Sequence, residues 1–166
     1  MTFDLADFSY SRHRPHARGG AAESHFTVRI KSQIVGLPVH RVKTVFYIDR
    51  LTPVPLAPPE VAGLANLRGR IVTAIELRSR LGLAARDAGQ VPMAIGIESR
   101  GESFGLLVDT VGEVLKLPDD EREPNPINLD RNLGRVAAGV YRLDGHLLVV
   151  LDIDRVLDLS PEAAAA

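Results

Sequence analysis

The sequence predicts a mainly β protein made of two small barrels packed side by side, with only short helices. Three observations lead there. A segment of strict apolar–polar alternation opens the fold, a glycine-bearing hairpin pattern occurs twice, and the expected helices are too short to cover a parallel sheet.

The first strand is expected at Phe26-Thr27-Val28-Arg29-Ile30-Lys31, where every second residue is apolar, so one face is buried and the other wet. Ser32-Gln33 is expected to turn into a second apolar run, Ile34–Pro38. Val39, Val42 and Val45 follow at helix-like spacing and predict a short turn of helix on the sheet. Pro53, Pro55, Pro58 and Pro59 then force an extended or looped path, with Pro59-Glu60 opening another short helical turn.

The chain is organised around the next stretch, AGLANLRGRIVTAIELRSRLGL, from Ala62 to Leu83. Leu64–Leu67 and Ile71–Leu77 are apolar runs joined through Arg68-Gly69-Arg70, a hairpin signal, and Arg78–Leu81 reads as a short helix. After a polar loop over residues 84–90 the opening pattern returns. Val28, Ile30 and Ser32 fall on Ile95, Ile97 and Ser99 at an offset of 67. Gly36, Leu37, Val39, Val42 and Val45 fall on Gly105, Leu106, Val108, Val111 and Val114 at an offset of 69. A loop rich in acids, Pro and Asn lies between Pro118 and Asn132. The hairpin pattern then recurs from Ala138 to Leu159 at an offset of 76, with a closing helix from Asp154. Both parts recur in order, so the chain is an internal duplication. Short connections throughout argue for antiparallel sheets closed into barrels, which also removes exposed edges. The expected boundaries are an N-terminal arm over residues 1–25, a folded domain over 26–159 with halves at about 26–90 and 91–159, and a tail over 160–166.

Composition narrows the function. The net charge is −1, whereas a nucleic-acid partner calls for a basic face. There is no cysteine, which removes disulfides and thiolate metal sites. No apolar run approaches the ~20 residues that span a bilayer, and acids stand in the N-terminus where a secretory signal needs an apolar stretch. A cytoplasmic soluble protein is expected. The run Arg12-His13-Arg14-Pro15-His16-Ala17-Arg18 is too short and too interrupted to argue more than a solvated tail.

No catalytic residue, cofactor or metal site is expected. Glu76 and Asp152 occupy equivalent positions just before short helices, where acids cap and complement the dipole, and Asp154 follows in the same context. Of the five histidines, His13, His16 and His25 fall in the arm, and His40 and His146 have no partner at metal spacing. A binding role is more promising. Asn66-Leu67-Arg68-Gly69 matches Arg142-Leu143-Asp144-Gly145, so an arginine stands where turn chemistry favours Asp or Asn. At an exposed tip its planar fork would suit a carboxylate or backbone carbonyls. Val39, Val42, Val45 and Phe46 form a second candidate, an apolar face that Tyr47 and Ile48 continue beyond what one turn can bury.

The order of these motifs resembles the CheW family of chemotaxis coupling proteins from about Phe26 to Leu159. The residues are Leu37-Pro38-Val39 with Val42, Pro55 with Ala57-Pro58, Val61 to Gly69, Ile75-Glu76-Leu77-Arg78, Gly105 to Asp109 with Val111, and Leu151 to Leu157. The Asn-Leu-Arg-Gly element is the specific part. The resemblance implies two SH3-like five-stranded barrels without catalytic activity. Such proteins bridge the cytoplasmic tips of methyl-accepting chemoreceptors to the regulatory domain of a CheA-type histidine kinase, which places them at membrane receptor arrays without membrane insertion. It further implies that Asn66, Leu67, Arg68 and Gly69 belong to the receptor or array surface, and that Val42, Thr44, Val45 and Phe46 lie near the kinase face. Family members usually carry, where this chain has Thr44, an acid that can pair with the arginine of the motif; Arg68 is therefore expected to be free to bind outward. A second departure is Thr73, where the family commonly has Pro. Rival readings are a small-ligand-binding double barrel, a hydrolase using Asp152 and Asp154, and a coupling protein of a non-flagellar chemosensory system.

Overall fold

In the computed structural model, the structure describes Thr2–Phe3, Tyr10–Ser11 and residues 20–161. The basic run at 12–18 and most of the tail lie outside the described residues. The strands are β1 Thr2–Phe3, β2 Tyr10–Ser11, β3 Ala22–Ile30, β4 Gln33–Pro38, β5 Val42–Tyr47, β6 Val61–Leu67, β7 Arg70–Glu76, β8 Met93–Ser99, β9 Glu102–Val108, β10 Thr110–Pro118, β11 Ala137–Leu143 and β12 His146–Leu151. The helices are short: α1 Leu77–Arg80, α2 Arg131–Val136 and α3 Ile153–Leu157.

Two sheets form, in the orders β1-β5-β8-β9-β7-β6 and β11-β12-β4-β3-β10-β2. Each is a five-stranded barrel sheet with a two-residue strand added at one end. The duplication is visible in the registers. β7 pairs in parallel with β9 at Thr73↔Phe104 and Ala74↔Gly105, and β12 pairs with β4 at Val149↔Val35 and Val150↔Gly36. These are the same positions under the sequence offsets of 76 and 69.

The sequence halves are not the barrels. β3 and β4 of the first half lie in the second barrel, and β8 and β9 of the second half lie in the first. Each half donates its opening hairpin to the other barrel, because the short link at Val39–Arg41 between β4 and β5 carries the chain across. This exchange explains the core. The largest apolar cluster, including Phe26, Val28, Val45, Ile95, Leu106 and Val149, lies between the sheets. Smaller clusters around Phe46, Val72 and Leu107, and around Leu115, Tyr141 and Leu148, fill the barrels.

Several local expectations change. β3 starts at Ala22, so residues 22–25 belong to the sheet rather than the arm, and His25 is 0% exposed against Tyr141. The polar letters Glu23, Ser24 and His25 hid that extension. The first turn is Lys31-Ser32, one residue earlier than expected. The valines at helix-like spacing form a three-residue 3-10 turn and then a strand, and Pro59-Glu60 is a turn leading into β6. Inside the expected loop, Asp130 caps α2 by accepting from the Asn132 and Leu133 amides. The closing helix spans Ile153–Leu157, slightly earlier than expected.

Gly63 and Gly139 sit at equivalent bulges, with φ of 147° and 155°. A Cβ at Gly63 would stand 2.6 Å from the Thr52 carbonyl oxygen, which is bonded to the Leu64 amide and helps close the barrel. Gly63→Ala should therefore cost roughly 3 kcal/mol in urea unfolding. Gly69→Ala, with open space around it, should cost only about 1–2 kcal/mol for its left-handed backbone.

Candidate interaction surface

The β6–β7 hairpin turns through Arg68 and Gly69 at φ of 52° and 81°, the two positive values of a type I′ turn. Asn66 supports the turn, its Oδ1 accepting from the Gly69 amide at 2.9 Å. Asn66, Arg68 and Gly69 are exposed and Leu67 is half-buried against the first barrel. No hydrogen bond or ion pair to the Arg68 guanidinium is found among the described residues. The Arg100-Gly101 turn between β8 and β9 has the same pair of positive values, 51° and 79°, so the turn type is shared by both hairpins. The tip borders a groove of about 340 Å³ that also touches Phe46, Ile48, Arg50 and Thr52. Thr44, half-buried on β5, offers no carboxylate to Arg68.

The apolar face expected at Val39, Val42, Val45 and Phe46 is not a surface patch. Val42, Val45, Phe46 and Ile48 are 5%, 0%, 3% and 7% exposed. β5 runs between two apolar compartments, Val45 packing into the core between the sheets and Phe46 into the first barrel. A strand buried on both faces shows a continuous apolar run, not alternation. From this strand only Lys43, Thr44 and Tyr47 reach the solvent to any extent.

The carboxylates are structural. Glu76 caps α1 by accepting from the Arg78 amide, and Asp152 caps α3 by accepting from the Asp154 and Arg155 amides. Asp154 is 3.0 Å from Arg41, whose hydrogen bond and charge hold its carboxyl below the usual range, the opposite of what a general acid needs. His25 and His40 both face Glu23, at 3.5 and 3.4 Å. Among the described residues no three His, Asp or Glu side chains converge on a metal position.

Sequence reasoning missed one cluster. Arg78 lays its guanidinium against Asp109, Nε to Oδ1 at 3.0 Å and Nη2 to Oδ2 at 2.8 Å, and its Nη1 donates to the Ala85 carbonyl at 3.1 Å. Arg86 pairs with both Asp109 and Glu76, and the Lys31 amide donates to Asp109 at 2.6 Å. All four side chains are 16% exposed or less. The cluster ties the β3–β4 turn of the second barrel to α1 of the first. Its members are spread over residues 76 to 109, so no local spacing announces them.

Two small barrels share one core, an arginine stands exposed at a hairpin tip, and Glu76, Asp109, Asp152 and Asp154 are engaged in caps and ion pairs. The CheW-like domain family matches residues 24–160. A chemotaxis protein CheW of Thermotoga maritima is 30% identical over 129 residues, covering 78% of this chain and 83% of the relative. One from Rhizobium meliloti is 30% identical over 117 residues, covering 69% and 74%. The scaffolding protein TtCheW of Thermoanaerobacter tengcongensis has the same fold, with a TM-score of 0.74 over 84% of this chain and 95% of that one, at 24% identity. The chain belongs to the CheW-like family, whose members are non-enzymatic chemotaxis scaffolds. No helix among the described residues is long and apolar enough to cross a membrane.

Proposed function

We propose that this chain couples the cytoplasmic tips of methyl-accepting chemoreceptors to the regulatory domain of a CheA-type histidine kinase, working in the cytoplasm at membrane receptor arrays. The observation that carries the reading is Arg68, held in a left-handed turn by Asn66 with no internal partner, at a position where the duplicated hairpin has Asp144. A planar cation presented this way suits a carboxylate or exposed carbonyls at the end of a helical hairpin. The receptor or array face is assigned to Asn66, Leu67, Arg68 and Gly69. The kinase face is assigned to the edge of β5, with Thr44 and Tyr47 as its accessible side chains, because Val42, Val45 and Phe46 shape that edge from inside.

Mechanistically the scaffold holds both partners in fixed geometry, so a change in the receptor tip biases the kinase. Arg68→Ala should weaken binding to a cognate receptor-tip fragment by ~2 kcal/mol or more, about thirtyfold, in a fluorescence titration. Thermal stability should stay within about 0.5 kcal/mol of the parent, as for other exposed positions. Unchanged affinity for both receptor and kinase fragments would remove Arg68 from the proposal.

A further inference from the structure

The two-residue strands β1 and β2 end the two sheets, and they do so at equivalent places. Thr2↔Phe46 and Phe3↔Val45 pair on β5, while Tyr10↔Val114 and Ser11↔Leu115 pair on β10. The offset of 69 residues that relates the halves carries Val45 to Val114 and Phe46 to Leu115. One short segment therefore touches the same two residues in both copies of the repeat.

β1 is antiparallel to β5 and β2 is parallel to β10. Phe3 and Tyr10 are separated by six residues, a reach of on the order of 25 Å when extended. Without these contacts β5 and β10 would be the end strands of their sheets, with free backbone groups open to any extended chain.

We propose that Thr2–Phe3 and Tyr10–Ser11 form a strap, made in cis by the chain's own N-terminus, that occupies the open edges of β5 and β10 and excludes an extended segment of another chain. A partner that adds a strand to either edge must first displace it. The strap itself stands apart from the adaptor reading. Only its consequence, that access to the kinase face on β5 is gated, rests on that reading.

The test is amide hydrogen exchange by NMR on the full chain, with the double variants T2P/F3P and Y10P/S11P. Proline removes the donor and cannot sustain the ladder. T2P/F3P should speed exchange of the β1-facing amide of the Val45–Phe46 pair at least tenfold and leave Val114–Leu115 unchanged. Y10P/S11P should expose the β10 edge and also loosen the β5 edge. With β2 released, β1 is tethered through the eighteen residues between Phe3 and Ala22 instead of the six between Phe3 and Tyr10, and closure weakens about fivefold. Exchange unaffected by either variant would overturn the strap. Protection that rises with protein concentration alongside a dimer would overturn its action in cis. Because the measurement uses this protein alone, its failure is distinct from a failure to bind receptor or kinase.

Discussion

Asp109→Ala should destabilise the protein by about 3–5 kcal/mol, because it leaves two buried guanidinium groups without their shared carboxylate. Arg78 and Arg86 are 9% and 11% exposed at the side chain, so water cannot replace what they lose. The Lys31 amide loses its acceptor in the same step. For a domain of this size the melting temperature should fall by on the order of 10 °C. Arg70→Ala provides the contrast. Its pair with Glu98 has side chains 73% and 47% exposed, and its loss should cost at most about 1 kcal/mol. Equal losses from the two variants would contradict the assignment of the cluster as a clasp between the barrels.

The same carboxylate shapes the response to acid. Burial pushes the Asp109 pKa up, but the hydrogen bonds from Arg78 and the Lys31 amide, with the charge of Arg86, outweigh it and hold the group below the ordinary aspartate value. A carboxyl with a depressed folded pKa contributes stability that is complete above the unfolded value and is lost as pH falls through the folded one. His25 acts earlier. Burial lowers its pKa, opposed in part by Glu23, so protons favour the unfolded chain as pH drops below about 6.5. Urea midpoints should decline in two stages on acidification, and Asp109→Ala should shrink the lower stage, to which Asp154 also contributes, while leaving the upper one in place.

Val45→Asp should prevent folding altogether. Val45 is 0% exposed, packed among the apolar side chains of the core between the sheets. An unpaired buried charge is among the few single changes that exceed about 4–5 kcal/mol. Circular dichroism should show loss of the β signal, and partner binding would vanish with the fold. Were Val45 part of an exposed interface, Val45→Asp would fold normally and lose only binding. Thr44→Arg, on a half-buried position of the same strand, is the variant that probes the surface while leaving the core intact.

Val45 also shows what the sequence could and could not convey. The duplication was legible because matched apolar positions serve matched packing, and it located the opening strand pairs, the two hairpins and the capping roles of Glu76 and Asp152. It also singled out Arg68, which lies exposed at the β6–β7 tip where the second copy has Asp144. The exchange of opening hairpins between barrels was not legible, since periodicity reports which face is buried and not against what. For that reason a strand buried on both sides, at Val45 and Phe46, looked like a helix with an exposed face. The clasp was hidden for a related reason: Arg78, Arg86 and Asp109 meet only through tertiary contacts. One further signal was available. Thr52-Pro53-Val54-Pro55-Leu56 and Glu123-Pro124-Asn125-Pro126-Ile127 share a pattern, and Thr52 and Glu123 bridge the equivalent residues Leu64 and Val140.

Under the proposed function this scaffold binds a CheA-type kinase. Calorimetric titration of the full chain into the isolated regulatory domain of a cognate kinase tests it most directly. Saturable one-to-one binding in the micromolar range, weakened by Thr44→Arg with the fold intact, is the predicted result. Absence of heat at high concentration, with both proteins shown to be folded, would contradict it.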